Sequence, residues 1–297
     1  MSTRIDLSTL PFPNVLTSID FEVELDALKA DLITRYPTVA AALDLESEPL
    51  TKLLEVFAYR LILKSGEINA KAKGLLLAYA TGSDLDHLGA NVDVYRLLIT
   101  PANPAAVPPV AAVYETDESL RRRIQLAQER DAAGSTGAYQ YWALSADGDV
   151  RDAAVSNPSA GVVELYVQSH SSPVAPQALL DAVATALDPN TNRPFTDDLV
   201  VLAATPRDFV VDAQLTLYQG PDAAVVKANA QAALDRYLSQ VSYLGYDVPR
   251  SGLFAALHQA GVQRVELISP STDLVMPSSQ YGRCTAISIN VTEYRDV

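Results

Sequence analysis

The sequence is poor in the residues that build disulfides and metal sites. Its 297 residues include one cysteine, Cys284, and three histidines, His87, His170 and His258. A single cysteine cannot form an internal disulfide, and these four residues do not have metal-binding spacing. His87 and His258 are interpreted as solvated or structural. We expect no bound metal, no cofactor and synthesis in a reducing compartment.

Positive charge is also scarce. The chain has 22 lysines and arginines against 36 aspartates and glutamates, a formal net charge of −14. Phosphate backbones and anionic lipid heads repel such a chain, so we expect neither nucleic acid nor a membrane as its partner. An uninterrupted apolar run of about eighteen residues is missing, and the first residues do not form a signal peptide. We expect a soluble protein made in the cytoplasm.

Motifs for phosphate binding and nucleophilic catalysis are missing as well. The sequence has no G-x-x-x-x-G-K-[ST] loop and no G-x-S-x-G turn, and residues 134–137 are too few to hold a diphosphate. Cys284 has no histidine near it in the sequence. Asp84 and Asp86 could pair as acid and base, but a helix N-terminus explains both carboxylates more simply.

A second pair of carboxylates resembles the start of a calcium loop. Asp147 and Asp149 have the required spacing, but Arg151 stands at the third ligand position. Pro158 occupies the place where a glutamate would close the site. We therefore expect no metal at this loop, no catalytic residue in the chain and no enzyme activity.

What the sequence does have is a long helical pattern near its N-terminus. Ser47 can cap a helix with Pro49 near its first position, and apolar residues then recur from Leu50 to about Ala80 without an internal proline. About 31 residues would span about 46 Å, longer than most globular helices. Alternatively, Gly66 and Gly74 kink this helix or split it in two. A shorter helix with Ser18 as its predicted cap precedes it. So long a helix needs a partner helix.

Charge is divided within this region. Residues 1–48 hold three basic and nine acidic residues, whereas the long helix carries Lys52, Lys64, Lys71 and Lys73. Opposite charge on neighbouring segments favours helix pairing, either within the chain or between copies.

One basic run stands out further along the chain. Arg121, Arg122 and Arg123 lie on a helix that is predicted to begin near Asp117. Asp117 and Glu118 precede Arg121 and Arg122 by four residues, a spacing that allows ion pairs along a helix. The run is interpreted as a solvated helix face, with a partner-binding patch as the alternative.

The remaining sequence predicts an α+β fold. Strands are predicted at Val150–Val155 and Val162–Val167, and alternation from Phe209 to Leu217 predicts another half-buried strand. The predicted architecture is an N-terminal long-helix arm followed by two small α+β modules. The predicted domains are the arm at 1–100, a proline-rich linker at 101–110, a middle module at 111–205 and a C-terminal module at 206–297.

The chain also resembles a known family in three ordered blocks. Their residues are Ile5 to Pro13 with Ile19 to Glu22, Glu46 to Arg60 with Gly82 to Gly89, and Glu115 to Arg123 with Gly134 to Tyr139 and Ala143 to Asp152. These blocks are similar to the phage baseplate J-like proteins. The resemblance covers essentially the whole chain.

This resemblance implies a structural wedge subunit of a contractile tail, in a myophage or a headless particle such as an R-type pyocin. Expected partners are a second copy of itself, a smaller wedge protein, the sheath initiator, the central hub and spike, and neighbouring wedges through the C-terminal module. The expected place is the baseplate of a virion or tailocin, assembled in the host cytoplasm and released by lysis. The alternatives from other classes are a tail-associated glycan hydrolase and a receptor-binding tail protein.

Two sets of residues acquire expected roles from this assignment. The long helix would enter a multi-chain bundle, with a seam formed by Leu50, Leu53, Leu54, Phe57, Leu61 and Ile68. The linker would hold the chain extended and act as a hinge between conformations, through Pro101, Pro104, Pro108 and Pro109.

Overall fold

The computed structural model describes residues 7, 10, 20–132, 134–188, 191–220 and 222–292. Contacts divide the chain into two compact units, the first ending at Tyr95 and the second beginning at Arg96. The described residues of the first unit form helices and turns, and all strands of the described residues belong to the second. The predicted α+β fold class, with a long helix ahead of small sheet modules, is confirmed.

The first unit is a helical arm. Its core consists of Leu25, Leu43, Leu54 and Ala58, which join its helices to one another. Asp20 caps the first helix, because its Oδ1 accepts a hydrogen bond from the Glu22 amide at 3.0 Å. The predicted cap Ser18 lies outside the described residues. The helices are α1 (Phe21–Arg35), α2 (Ala40–Leu43), α3 (Pro49–Gly74) and α4 (Gly82–Ala90).

Helix α3 is long, but it is shorter than the sequence predicts. It has 26 residues and ends at Gly74, one of the two glycines predicted to kink or split the helical run to about Ala80. A Cβ on Gly74 would lie 2.5 Å from Oδ2 of Asp84, which shows how closely α4 approaches the end of α3. The glycine allows this approach, and the chain turns through residues 75–80 into α4. The residue before α3 is Glu48, not the predicted cap Ser47.

The second unit begins with a small hairpin. Strands β1 (Leu98–Thr100) and β2 (Val113–Tyr114) are antiparallel. Within the loop between them, Asn103 and Val110 exchange backbone hydrogen bonds of 2.9 and 3.0 Å. The segment at 101–110 therefore turns back on itself, whereas the sequence predicted an extended linker. Prolines suit this loop because it needs few backbone donors.

The middle module carries the first three-stranded sheet. Its strand order is β3-β4-β5, with β3 and β4 antiparallel and β4 and β5 parallel across helix α7. The predicted hairpin is confirmed as β3 and β4. The elements are α5 (Asp117–Leu126), α6 (Thr136–Ala146), β3 (Val150–Ser159), β4 (Val162–Ser169), α7 (Gln177–Ala186) and β5 (Asp198–Ala203).

The C-terminal module repeats this arrangement with a second sheet. A central strand again has one antiparallel and one parallel neighbour, in the order β7-β6-β8. The predicted alternation holds, since Phe209, Val211, Ala213, Leu215 and Leu217 are buried on one face. Helices α8 and α9 pack on that face. The elements are β6 (Thr205–Leu217), α8 (Ala223–Val241), α9 (Arg250–Leu257), β7 (Val262–Ser269) and β8 (Gln280–Thr292).

Candidate assembly surfaces and the junction between the sheets

Helix α3 exposes a row of apolar side chains. Leu53, Phe57, Leu61 and Ile68 are 42 to 54 % exposed and recur at helical spacing, so they follow one side of the helix. Leu54 belongs to the same predicted seam but is buried in the core of the arm, and Leu50 packs beside it half-buried. We call the exposed set the first row.

A second apolar row follows another side of α3. Val56, Tyr59 and Leu63 are 44 to 58 % exposed. At 3.6 residues per turn the centres of the two rows lie about 130° apart around the helix. This row was not predicted from the sequence, although apolar residues spaced by three and four positions indicate an apolar side of a helix.

Pairs of oppositely charged side chains lie on the surface of α3 beside the two rows. Lys52 Nζ lies 2.8 Å from Glu55 Oε1, and Lys64 Nζ lies 3.0 Å from Glu67 Oε2. The Lys64 ammonium lowers the pKa of the Glu67 carboxyl, through a hydrogen bond and through its charge. These exposed pairs keep the outer surface of α3 hydrated and contribute little to stability.

A buried ion pair anchors the hairpin to the middle module. Glu115 and Arg123 are 3 and 4 % exposed, and Arg123 Nη1 donates to Glu115 Oε1. The same carboxylate accepts from the Leu97 amide at 2.9 Å, and its Oε2 accepts from Ser119 Oγ at 2.9 Å. Arg96 adds a bond of 2.8 Å to the Glu115 carbonyl. Both charges are thus hydrogen-bonded, as burial demands.

This pairing corrects the interpretation of the basic run. Arg123 is buried, and Arg122 pairs with Asp152 of β3, so the run is not a solvated helix face. The expected i,i+4 pairing of Arg122 with Glu118 is replaced by a partner thirty residues away. The spacing of residues along one helix cannot predict an ion pair with a residue this far away in the sequence.

The hairpin tip itself is uncharged. Residues 97–114 contain no acidic or basic side chain, whereas 20 % of the whole chain is charged. Val107 at the tip is 98 % exposed. The four prolines with a predicted hinge role, Pro101, Pro104, Pro108 and Pro109, all lie in this loop. Both ends of the loop belong to the second unit, and the boundary between the units falls before it.

A polar junction joins the two sheets within the second unit. We define the junction by five residues. Arg122, Arg151 and Asp152 belong to the middle module, and Ser242 and Tyr243 follow α8 in the C-terminal module. The Asp152 side chain is 4 % exposed, and its Oδ1 accepts from Arg122 Nη2 and, at 2.7 Å, from the Ala153 amide. Its Oδ2 accepts from the Leu244 amide at 2.9 Å. One carboxylate thereby bonds to both modules.

Tyr243 lies against the two arginines of the junction. The guanidinium carbons of Arg122 and Arg151 are 5.3 and 5.4 Å from the centre of its ring, within cation–π range. The Tyr243 hydroxyl donates to Glu118 Oε1 at 3.0 Å. Burial, together with the neighbouring Glu118 charge, raises the pKa of Tyr243 to about 12 because both disfavour the phenolate.

Further contacts extend the junction. Arg151 Nη2 donates to Ser242 Oγ, and Gln168 Nε2 donates to the Ser242 carbonyl at 3.1 Å. Tyr281 of β8 donates its hydroxyl to the Pro173 carbonyl at 2.8 Å. A small apolar cluster lies among these bonds, formed by Ala204, Leu244 and Tyr281 with Ala154 and Tyr166 packed against it. No sequence signal pointed to these contacts.

A cleft of about 530 Å³ opens beside the junction, between the end of β4 and the surfaces of α8 and β8. Asp149, which bonds to Ser169 and Ser171 of the cleft wall, has a structural role. Its Oδ2 accepts from Ser169 Oγ at 2.6 Å and Ser171 Oγ at 3.0 Å, and its Oδ1 accepts from the Ser171 amide at 2.9 Å. Asp147 accepts from the Asp149 amide at 2.8 Å. The two carboxylates thus organise the loops at the ends of β3 and β4.

The remaining residues considered for chemistry are dispersed. His87 lies in the last turn of α4, and His258 directly follows α9. Cys284 lies on β8, where burial raises the pKa of its thiol. Among the described residues, no three His, Cys, Asp or Glu side chains are grouped so that they could hold a metal ion. The described helices likewise include none that is long and apolar enough to cross a membrane.

Three family models match the chain in order. The Baseplate J-like N-terminal domain matches residues 46–103, the Baseplate J-like central domain residues 131–203, and the Baseplate J-like protein C-terminal domain residues 209–290. Baseplate protein J of Escherichia phage P2 is 44 % identical over 288 residues, which cover 95 % of each chain.

These matches define the class as a structural protein of a phage baseplate. The chain belongs to the baseplate J-like family, as the resemblance of its sequence blocks predicted. Its place is therefore in the virion baseplate, together with other baseplate proteins.

Proposed function

We propose that the chain is a wedge subunit of a contractile-tail baseplate and that α3 binds two further helices in a multi-chain bundle. The observation that carries this proposal is the pair of exposed rows on α3. A packed helix covers an apolar stripe about 100° wide. Two rows about 130° apart, in addition to the face buried on α1, therefore need two different occupants.

The occupants in this proposal are a second copy of the chain and a smaller wedge protein. The apolar contact is supplemented by charge. The charged pairs of α3 and the acidic residues of the N-terminal segment favour partners with complementary charge. Other partners in the proposal are the sheath initiator, the central hub and spike, and neighbouring wedges reached through the C-terminal module. The particle is a phage or a related tailocin, assembled in the host cytoplasm and released by lysis.

The hinge role of the four hairpin prolines remains part of this proposal. Because both ends of their loop lie in the second unit, a change within the loop would displace the uncharged tip around Val107. The tip would then act as a movable contact between subunits. Asp149 does not support the glycan hydrolase alternative, because its bonds to Ser169 and Ser171 are those of a structural carboxylate.

Sedimentation velocity of the full chain tests the bundle proposal. We expect the wild type to self-associate through the first row, and the double variant Phe57→Ser, Leu61→Ser to sediment as a monomer. Val275→Ser is the matched control, since Val275 is 65 % exposed but lies in the second unit. A wild-type chain that stays monomeric at all accessible concentrations would count against self-pairing through α3.

A further inference from the structure

We propose that residues 242–244 are a clamp that makes the two sheets of the second unit open and move as one body. This inference goes beyond the bundle role of α3, because it concerns how the sheet modules respond to force or to a partner. Its starting point is the covalent connection between the sheets. Only Ala204 separates β5 from β6, and a single linking residue does not by itself couple two folded modules.

Most of the side-chain hydrogen bonds described between the two modules involve the clamp. Ser242, Tyr243 and Leu244 follow α8 of the C-terminal module, and each bonds to the middle module. Beside them the surfaces separate and form the cleft of about 530 Å³. A small apolar cluster around Leu244 and Tyr281 adds to these bonds, so a few identifiable groups couple the modules.

Opening at the clamp would remove partners from three charged side chains of the junction. The Asp152 carboxylate would lose the Leu244 amide, and Arg122 and Arg151 would lose the Tyr243 ring. Asp152 would stay paired with Arg122, but its buried carboxylate would lose the hydrogen bond to the C-terminal module. Loss of a hydrogen bond at a buried polar group costs free energy. The closed junction is consequently the favoured state, and a load applied to one sheet reaches the other.

Hydrogen exchange of the full-length chain tests the clamp. In the wild type, the most protected amides of β4 and β6 should exchange through one shared opening, with equal opening constants. In Tyr243→Ala we expect these constants to diverge by about tenfold, because contacting groups couple the two openings. Tyr218→Ala is the control: Tyr218 is 48 % exposed at the end of β6, and its substitution should leave the constants equal.

A milder variant guards against a failure to fold. Tyr243→Leu retains a smaller apolar side chain and loses the ring and its hydroxyl, and it should show a smaller divergence in the same direction. Two results would overturn the clamp. One is a wild type whose two sheets already open separately, and the other is a pair of Tyr243 variants in which β4 and β6 keep equal opening constants.

Discussion

The amide of Leu244 donates to Oδ2 of Asp152 across ninety-two residues of sequence, at a distance of 2.9 Å. Both residues are buried, at 7 and 3 % exposure. The bond joins a loop of the C-terminal module to a strand of the middle module, so the same carboxylate that pairs with Arg122 also fixes the neighbouring sheet. The stability of the second unit should therefore depend strongly on this one side chain.

Replacement of Asp152 tests that dependence. Asp152→Ala removes a buried carboxylate that pairs with the largely buried Arg122 and accepts from the Leu244 amide, and we expect the free energy of unfolding to fall by about 3 kcal/mol. Urea denaturation followed by circular dichroism measures the change. Asp208→Ala is the matched control, because Asp208 forms an exposed two-bond pair with Arg283 and its loss should change the unfolding midpoint very little. Equal effects of the two substitutions would contradict the account.

The buried pair at the base of the hairpin supports a second prediction. Glu115→Gln removes the charge that faces Arg123 while retaining the size of the side chain. We expect a loss of about 3 kcal/mol in unfolding free energy, because the buried Arg123 loses the carboxylate that neutralises its charge. We also expect faster amide exchange at Leu97, whose amide donates to Glu115 Oε1. Glu55→Gln on the outer surface of α3 serves as the control and should leave both quantities unchanged.

Tyr243 gives the second unit a dependence on alkaline pH. Its pKa in the folded chain is about 12, above the ordinary value of 10.0, so the folded state favours the protonated hydroxyl. A raised pKa contributes stability that is complete below pH 10 and is lost as the pH rises through 12. Tyr243→Phe removes this contribution, and its stability should fall less steeply than that of the wild type across that interval. Denaturation midpoints at a series of pH values measure the difference, and parallel curves would contradict it.

The hairpin prolines allow a test of the predicted hinge role. Replacement of Pro108 and Pro109 by glycine frees the loop backbone and should leave both sheets folded, as judged by unchanged exchange protection of β4 and β6. We expect impaired assembly, because a loosened tip presents Val107 less reproducibly to its contact. The yield of particles in a complementation assay measures this effect, and a normal yield would exclude the role.

The sequence predicted the regular elements well where their pattern is local. The alternation from Phe209 to Leu217 identified β6 and its buried face, and apolar spacing identified α1 and α3. The helical pattern continues six residues past the end of α3 at Gly74, where Asp84 of α4 approaches closely. Local spacing carries no information on a contact that a different helix makes.

The candidate site was predictable only in part. Helical spacing predicted the first row on α3, but it also included Leu54, which the arm buries in its own core. The junction could not be found from the sequence, since Arg122 meets Asp152 at a separation of thirty residues and Tyr243 stands in a loop without a motif. The sequence predicts an extended linker where the structure has a hairpin, because prolines are compatible with both extended backbone and turns.

The central claim is that the outer surface of α3 binds other baseplate subunits. Photo-crosslinking in assembled particles tests this claim most directly. A photoreactive amino acid is placed at Phe57 in the first row, at Tyr59 in the second row and at Val275 as the exposed control. We predict specific cross-linked species from positions 57 and 59, with different partners for the two rows, and none above background from position 275. Rows that cross-link no more than Val275 would contradict the account.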